Sequence, residues 1–69
     1  MDLRWEDGFK IKVGTYKNEA TISANREGLL SLANQLSALA EEAPGSHIHL
    51  DQYNSLEDGS VELIIEKTD

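Results

Sequence analysis

Residues 25–45 read NREGLLSLANQLSALAEEAPG, and this stretch decides the fold because it carries a helical pattern. Its apolar residues recur at steps of three and four, which predicts an amphipathic helix of about 18 residues. Asn25 is a favourable N-cap, and Pro44 with Gly45 ends the pattern. The predicted apolar stripe consists of Leu29, Leu32, Ala33, Leu36, Leu39, Ala40 and Ala43.

The other side of this helix is uncharged where a solvent-facing helix usually carries lysine and glutamate. Its residues are Ser31, Asn34, Gln35, Ser37 and Ala38. One interpretation is a tolerant solvent face, and the other is a contact surface for a second copy or another partner. Gly28 in the first turn costs about 1 kcal/mol relative to alanine, and no local pattern explains it.

The segments on both sides of the helix alternate with a period of two, which is typical of half-buried strands. Before the helix, residues 9–13 and 20–24 predict a hairpin that turns at Tyr16-Lys17-Asn18. The Asp7-Gly8 dipeptide favours a turn that would let Leu3–Trp5 pair back as a short extra strand. Trp5 itself is expected to close the core, and the alternative is that it acts as a contact anchor for a partner.

After the helix, His47–Asp51 and Ser60–Lys67 predict two more strands, joined by a turn-rich loop. The order β-β-α-β-β indicates an α+β fold in which the helix covers one face of a mainly antiparallel four-stranded sheet. No linker or repeat divides the chain, so residues 1–69 are expected to form a single small domain.

The charge of the chain is concentrated in its last part. The net charge is −7, with thirteen acids and six bases, but residues 1–40 carry five of each. Residues 41–69 carry eight acids and one base, Lys67. Such a chain lacks the basic face that nucleic acids or anionic membranes require. The absence of cysteine also excludes thiol chemistry and zinc fingers.

The sequence shows no targeting signal. The N-terminus is charged where a signal peptide would be apolar, and no apolar run reaches the roughly 20 residues needed to span a bilayer. We therefore expect a cytoplasmic protein.

The acids of residues 51–66 have two interpretations: a solvated surface that maintains solubility, or a docking surface for a basic partner. Tyr53 and Leu56 are candidate aromatic and apolar anchors for such a partner. The predicted partner-binding set, called here the acidic surface, consists of Asp51, Tyr53, Glu57, Asp58, Glu62 and Glu66.

His47, His49 and Asp51 alternate on one face of the third predicted strand. Imidazole and carboxylate groups are ligands for zinc and other transition metals, so this face is a weak candidate metal site. The alternative is a pair of surface histidines beside carboxylates, and no cofactor is expected.

No catalytic pattern stands out. The serines lack the glycine context of a nucleophile elbow, and no glycine-rich loop could hold a phosphate. A domain of this size also has little room for a water-excluding pocket. We expect a protein that is not an enzyme.

Three segments together resemble a family of small bacterial immunity proteins from polymorphic toxin systems, immunity protein family thirty-two. The resemblance covers residues 20–67 and rests on the segments Asn25–Ala40, Gly45–Asp51 and Gly59–Ile65. It implies a cytoplasmic protein that binds and blocks a cognate toxin, which in many such systems is a nuclease with a basic active site. Two alternatives remain: a small dimerising regulatory or assembly module, and a metal-binding protein that uses His47, His49 and Asp51.

Overall fold

Two antiparallel hairpins and one helix form the fold of the computed structural model, which describes residues 1–69. The elements are β1 (Ile11–Tyr16), β2 (Glu19–Ala24), α1 (Arg26–Ala40), β3 (His47–Leu50) and β4 (Leu63–Glu66). β1 pairs with β2, and β3 pairs with β4. The predicted α+β class is therefore confirmed.

The predicted four-stranded sheet is wrong, because the strands form two separate two-stranded sheets. Residues 57–61 connect them by lying along the free edge of β1. The amides of Glu57 and Val61 donate hydrogen bonds to the carbonyls of Ile11 and Val13, at 2.8 and 2.9 Å. These two bonds dock one hairpin against the other without a continuous ladder.

A turn interrupts the ladder between those two bonds. Gly59 adopts φ +85°, a left-handed conformation that bends the chain away from strand geometry. The Ser60 hydroxyl accepts a hydrogen bond from the Val13 amide at 3.1 Å, in the place of a backbone carbonyl. As a result, β4 begins at Leu63 and not at Ser60 as predicted.

Asn25 joins the helix to the first hairpin. Its side-chain oxygen accepts from the amide of Gly28 at 2.8 Å, which confirms the predicted N-cap, and from the amide of Lys10 at 3.0 Å. Its backbone amide donates to the Lys10 carbonyl at 3.1 Å, and its side-chain nitrogen donates to the Gly8 carbonyl at 2.9 Å. One residue thus caps the helix and fixes the chain that leads into β1.

Gly28 is explained by the close approach of the helix to β1. A Cβ atom on Gly28 would lie 2.5 Å from the Lys10 carbonyl oxygen and 3.0 Å from side-chain atoms of Ala24 and Ile11. Only glycine lets the first turn of the helix rest on the hairpin backbone.

The helix buries only part of the predicted apolar stripe, Leu32 and Leu39, together with residues of the face predicted to be exposed. Its buried residues are Gly28, Ser31, Leu32, Gln35 and Leu39. Leu29 and Leu36 of the predicted apolar stripe are 56% and 48% exposed. The face predicted to be solvent-exposed therefore points inward along much of its length, although Ser37 remains exposed.

The N-terminal segment causes this rotation of the helix. The amide of Glu6 donates to the Ser31 hydroxyl at 2.7 Å, and the Gln35 side chain donates to the Arg4 carbonyl at 3.1 Å. Asn34 donates to a Glu6 carboxylate oxygen at 3.1 Å. The uncharged helix face is thus a contact surface, and its partner is the chain's own N-terminus.

The predicted extra strand Leu3–Trp5 does not form, because this segment lies along the helix and not along a strand. Trp5 is half-buried and stacks on Phe9, with ring centroids 4.8 Å apart. Both rings pack against the core, which confirms the prediction that Trp5 closes it.

The core is small, and its buried members come from β1, α1, β3 and the loop that follows β3. Its buried members are Ile11, Val13, Leu32, Leu39, Ile48, Leu50 and Leu56. Leu56 is only 5% exposed, so it anchors the long loop to the core and is not free to contact a partner. Leu63 and Ile65 of β4 are half-buried against this cluster.

The helix ends at Ala40, three residues before the predicted end at Ala43. Its last turn contains no basic side chain. The ammonium of Lys67 instead donates to the carbonyls of Ala40 and Glu42, at 2.7 and 2.6 Å. The only base of residues 41–69 is therefore the cap of the helix C-terminus.

The close approach at Gly28 predicts that Gly28→Ala destabilises the protein. We expect a loss of about 1–3 kcal/mol of unfolding free energy from the steric clash. This loss occurs in spite of the roughly 1 kcal/mol that alanine normally gains over glycine in a helix. Urea denaturation followed by circular dichroism measures it.

Gly14→Ala is the matched control, since nothing lies within 4 Å of a Cβ atom at that position. Its unfolding free energy should stay level or rise by up to about 1 kcal/mol. Equal effects of the two substitutions would contradict the role assigned to Gly28.

The helix cap predicts that Lys67→Met lowers the unfolding free energy by about 1 kcal/mol, because two carbonyls at the helix end lose a charged donor. Lys10→Met is the control, as the Lys10 side chain is exposed and makes no hydrogen bond in the structure. The same denaturation experiment compares them, and indistinguishable midpoints would refute the cap.

Candidate docking surface

The loop between β3 and β4 is built on Asp51. One carboxylate oxygen of Asp51 accepts from the amide of Tyr53 at 2.8 Å. Its backbone carbonyl accepts from the amides of Asn54, Ser55 and Leu56, at 3.3, 3.1 and 2.9 Å. The carboxylate of this predicted docking residue therefore shapes the loop.

Tyr53 projects from a loop that is held at several points. Leu56 anchors the loop in the core, and the Gln52 side-chain oxygen accepts from the Gly59 amide at 3.1 Å. Tyr53 itself is 88% exposed. The Tyr53 ring is thus exposed to solvent on a loop whose backbone is held by hydrogen bonds within the protein.

The remaining acids of the acidic surface are free of ion pairs. Glu57, Asp58, Glu62 and Glu66 are all exposed. The salt bridge found in the protein joins Arg26 to Glu27 at 3.5 Å, outside this surface. These four carboxylates can therefore meet an external base without first breaking an internal pair.

Lys12 is the base that stands beside the acidic turn. Its ammonium lies next to Gly59, which directly follows Asp58. It forms no salt bridge there. It nevertheless reduces the negative potential at the β1 end of the acidic surface, because the two charges have opposite sign.

The outward face of β3 and β4 carries the other part of the acidic surface. In the antiparallel register, Glu66 lies opposite His47, and Ile64 lies opposite His49. Ile64 is 52% exposed and shares its side of the chain with Glu62 and Glu66. Ile64 is not part of the predicted partner-binding set, although the period-two alternation already placed it beside the two acids.

The structure divides the predicted partner-binding set into two groups. Glu57 and Asp58 lie in the turn that docks on β1, and Tyr53 lies in the loop that precedes this turn in the chain. Glu62 and Glu66 lie along the outward side of the last strand. Asp51 belongs to neither group in its main role, since its carboxylate holds the loop.

The two histidines of the candidate metal site come together, but a third ligand does not join them. The rings of His47 and His49 are 5.7 Å apart between centroids, in an edge-to-face arrangement. Asp51 turns its carboxylate to the Tyr53 amide. No group of three or more histidine, aspartate or glutamate side chains is placed to hold a metal ion.

No pocket opens on the surface of the protein. Its single helix, at 15 residues, falls short of the length and apolarity that a membrane crossing requires. The site is thus an open surface of exposed acids with two exposed side chains, Tyr53 and Ile64, among them.

The structure is thus a small α+β domain that carries an open surface of exposed acids. Over residues 19–68 the sequence matches the model of the family described as Immunity protein 32, and the chain belongs to this family. The resemblance seen in the sequence is confirmed. No curated protein and no solved structure matches the chain.

Proposed function

We propose that this protein is a non-catalytic immunity protein that binds a cognate toxin domain through its acidic surface and thereby neutralises it. Membership of the Immunity protein 32 family is the observation that carries this proposal. The toxin presents a basic surface, as a nuclease does around its active site. Binding takes place in the cytoplasm and involves neither nucleic acid nor membrane.

The unpaired carboxylates support an electrostatic mode of binding. Four exposed acids without internal partners create a negative potential that attracts a basic protein and orients it before contact. A row of carboxylates also presents negative charges as a phosphate backbone does. The acidic surface would therefore cover the residues that a nuclease uses for its substrate.

The apolar side chains support a second contribution to affinity. Binding energy in protein interfaces concentrates in a few apolar or aromatic anchors surrounded by polar groups. Tyr53 and Ile64 are exposed apolar side chains of this kind on the acidic surface. We assign them the role of anchors that slow dissociation.

The hydrogen-bonded loop supports tight binding as well. A flexible loop loses conformational entropy when it binds, whereas a preorganised loop has already lost it on folding. The bonds of Asp51 and Gln52 hold the backbone that carries Tyr53. Asp51 thus contributes indirectly, by positioning a neighbouring residue.

The electrostatic mode predicts that Glu57→Lys combined with Asp58→Lys weakens binding to the toxin encoded by the neighbouring gene. We expect the association rate to fall by about tenfold or more at low salt, because steering is lost. The difference from the unmodified protein should shrink as salt screens the charges. Surface plasmon resonance over a salt series measures both effects.

Asp2→Lys combined with Glu19→Lys is the matched control, since it changes the net charge equally but away from the acidic surface. It should reduce the association rate much less. Affinity that is unchanged by the Glu57 and Asp58 substitutions would show that the acidic turn is not the docking surface.

The anchor role predicts that Tyr53→Ala and Ile64→Ala each raise the dissociation rate, by about fivefold or more. Both side chains are largely exposed, so the unfolding free energy should stay within about 0.5 kcal/mol of its original value. Ile22→Ala provides a comparison at a similarly exposed apolar position on the first hairpin. If all three variants dissociate from the toxin at the same rate, Tyr53 and Ile64 are not anchors.

A further inference from the structure

An uncovered apolar stripe runs along the side of the helix that the core does not use. Leu29, Ala33, Leu36 and Ala40 follow steps of four, three and four, which place them on one side. All four are exposed, with Leu29 at 56% and Leu36 at 48%. These four residues are called here the helix stripe.

The helix around the stripe is unusually free of charge. Residues 28–40 contain no acidic or basic side chain. The N-terminal segment accounts for the polar residues on one side of the helix, but nothing in the chain covers the helix stripe. Ile22, 47% exposed on the same hairpin face as buried Val13, and Leu30, 39% exposed, add to the apolar surface of this half.

We propose that a second copy of this chain covers the helix stripe, with the two helices packed antiparallel about a two-fold axis. In an antiparallel pair centred on the stripe, Leu29 faces Ala40 of the second copy, and Ala33 faces Leu36. Each large side chain then meets a small one, which lets the surfaces interdigitate. A parallel pair would instead oppose leucine to leucine and leave gaps between the alanines.

The charges at the two ends of the stripe favour the same arrangement. Arg26 begins the helix with a side chain that is 79% exposed and that pairs with Glu27 at 3.5 Å through one of its nitrogens. Glu41 directly follows the last residue of the helix and is also exposed. An α-helix turns by about 100° per residue, so Arg26 and Glu41 lie beside the helix stripe on the same side as Leu30. Antiparallel packing brings Arg26 beside Glu41 of the second copy, and the two-fold axis repeats the contact.

The distribution of net charge identifies a second copy as a suitable occupant of this surface. Two chains of charge −7 repel each other, but residues 1–40 are neutral in total. The helix stripe lies in this neutral half, so self-association there meets the least repulsion. The helix stripe contains only two large apolar side chains, Leu29 and Leu36, whereas a standard interface has about 20–30 residues on each side, so the dimer should be weak.

Analytical ultracentrifugation of the full chain, from about 1 to 500 μM, tests the proposal over the range that a weak dimer occupies. We expect a concentration-dependent dimer. Leu36→Glu should weaken it by at least about tenfold, since it places two like charges near the two-fold axis. Leu36 is half-exposed, so its substitution should leave the fold intact, and circular dichroism checks this.

Tyr16→Glu is the matched control. Tyr16 is 71% exposed and, by the alternation of β1, lies on the hairpin face opposite to Ile11 and Val13. Its substitution adds the same charge away from the stripe, so dimerisation should change by less than about threefold. Equal weakening by both variants would point to net charge and overturn the assigned surface.

A charge exchange tests the antiparallel orientation without touching the apolar residues. Arg26→Glu alone should weaken the dimer, and Arg26→Glu with Glu41→Arg should restore it. Failure of the double variant to restore it would overturn the antiparallel arrangement. A monomer at every concentration would overturn the dimer itself.

Dimerisation through the stripe is independent of toxin binding through the acidic surface. If the unmodified chain is a monomer at every concentration and the Leu36→Glu variant loses toxin binding, the toxin covers the helix stripe. That result would overturn the second-copy proposal and move the toxin interface to the helix. A dimer that still binds toxin through Glu57 and Asp58 would support both proposals.

Discussion

The contact between the start of the helix and the chain entering β1 constrains the whole molecule. Asn25 bonds to both backbone groups of Lys10 and caps the helix with the same side chain. Gly28 then lets the helix rest on the Lys10 carbonyl, where any Cβ atom would collide. With the hairpin fixed at the helix start, residues 4–9 have to run back beside the helix, and the buried face of the helix follows from their position.

This arrangement replaces apolar burial with hydrogen bonding along part of the helix. Ser31 and Gln35 are fully buried because they bind the backbone of residues 4–6. The Ser31 hydroxyl and the Gln35 side-chain nitrogen would be costly inside without such partners, whereas the Gln35 side-chain oxygen is buried without one. The leucines and alanines on the other side remain outside, so a small protein with a thin core still exposes an apolar surface. We interpret that surface as an interface and not as a defect of packing.

Charge and apolar surface are distributed to different parts of the fold. The neutral first 40 residues supply the hairpin, the helix and the stripe, while residues 41–69 carry the whole net charge of −7. The one base of the second part, Lys67, donates to carbonyls at the helix end and forms no ion pair with the exposed acids. The fold thereby presents two surfaces of different chemistry, one acidic and one apolar, which we propose for the toxin and for a second copy respectively.

The sequence by itself determined the helix with its cap, the first hairpin and its turn, the α+β class, the family and the concentration of acid in the last part. Those features follow from local periodicity, turn chemistry and composition, which act between residues close in the chain. The buried side of the helix could not be read this way, because both sides are uncharged and the apolar spacing does not choose between them. That choice depended on hydrogen bonds between the helix and the backbone of Arg4 and Glu6, which lie 31 and 25 residues from their partners Gln35 and Ser31. Four other features likewise required the tertiary structure: the split of the sheet, the structural role of Asp51, the exposure of Ile64 and the cap by Lys67. Each arises where segments distant in sequence meet or where local hydrogen bonds compete.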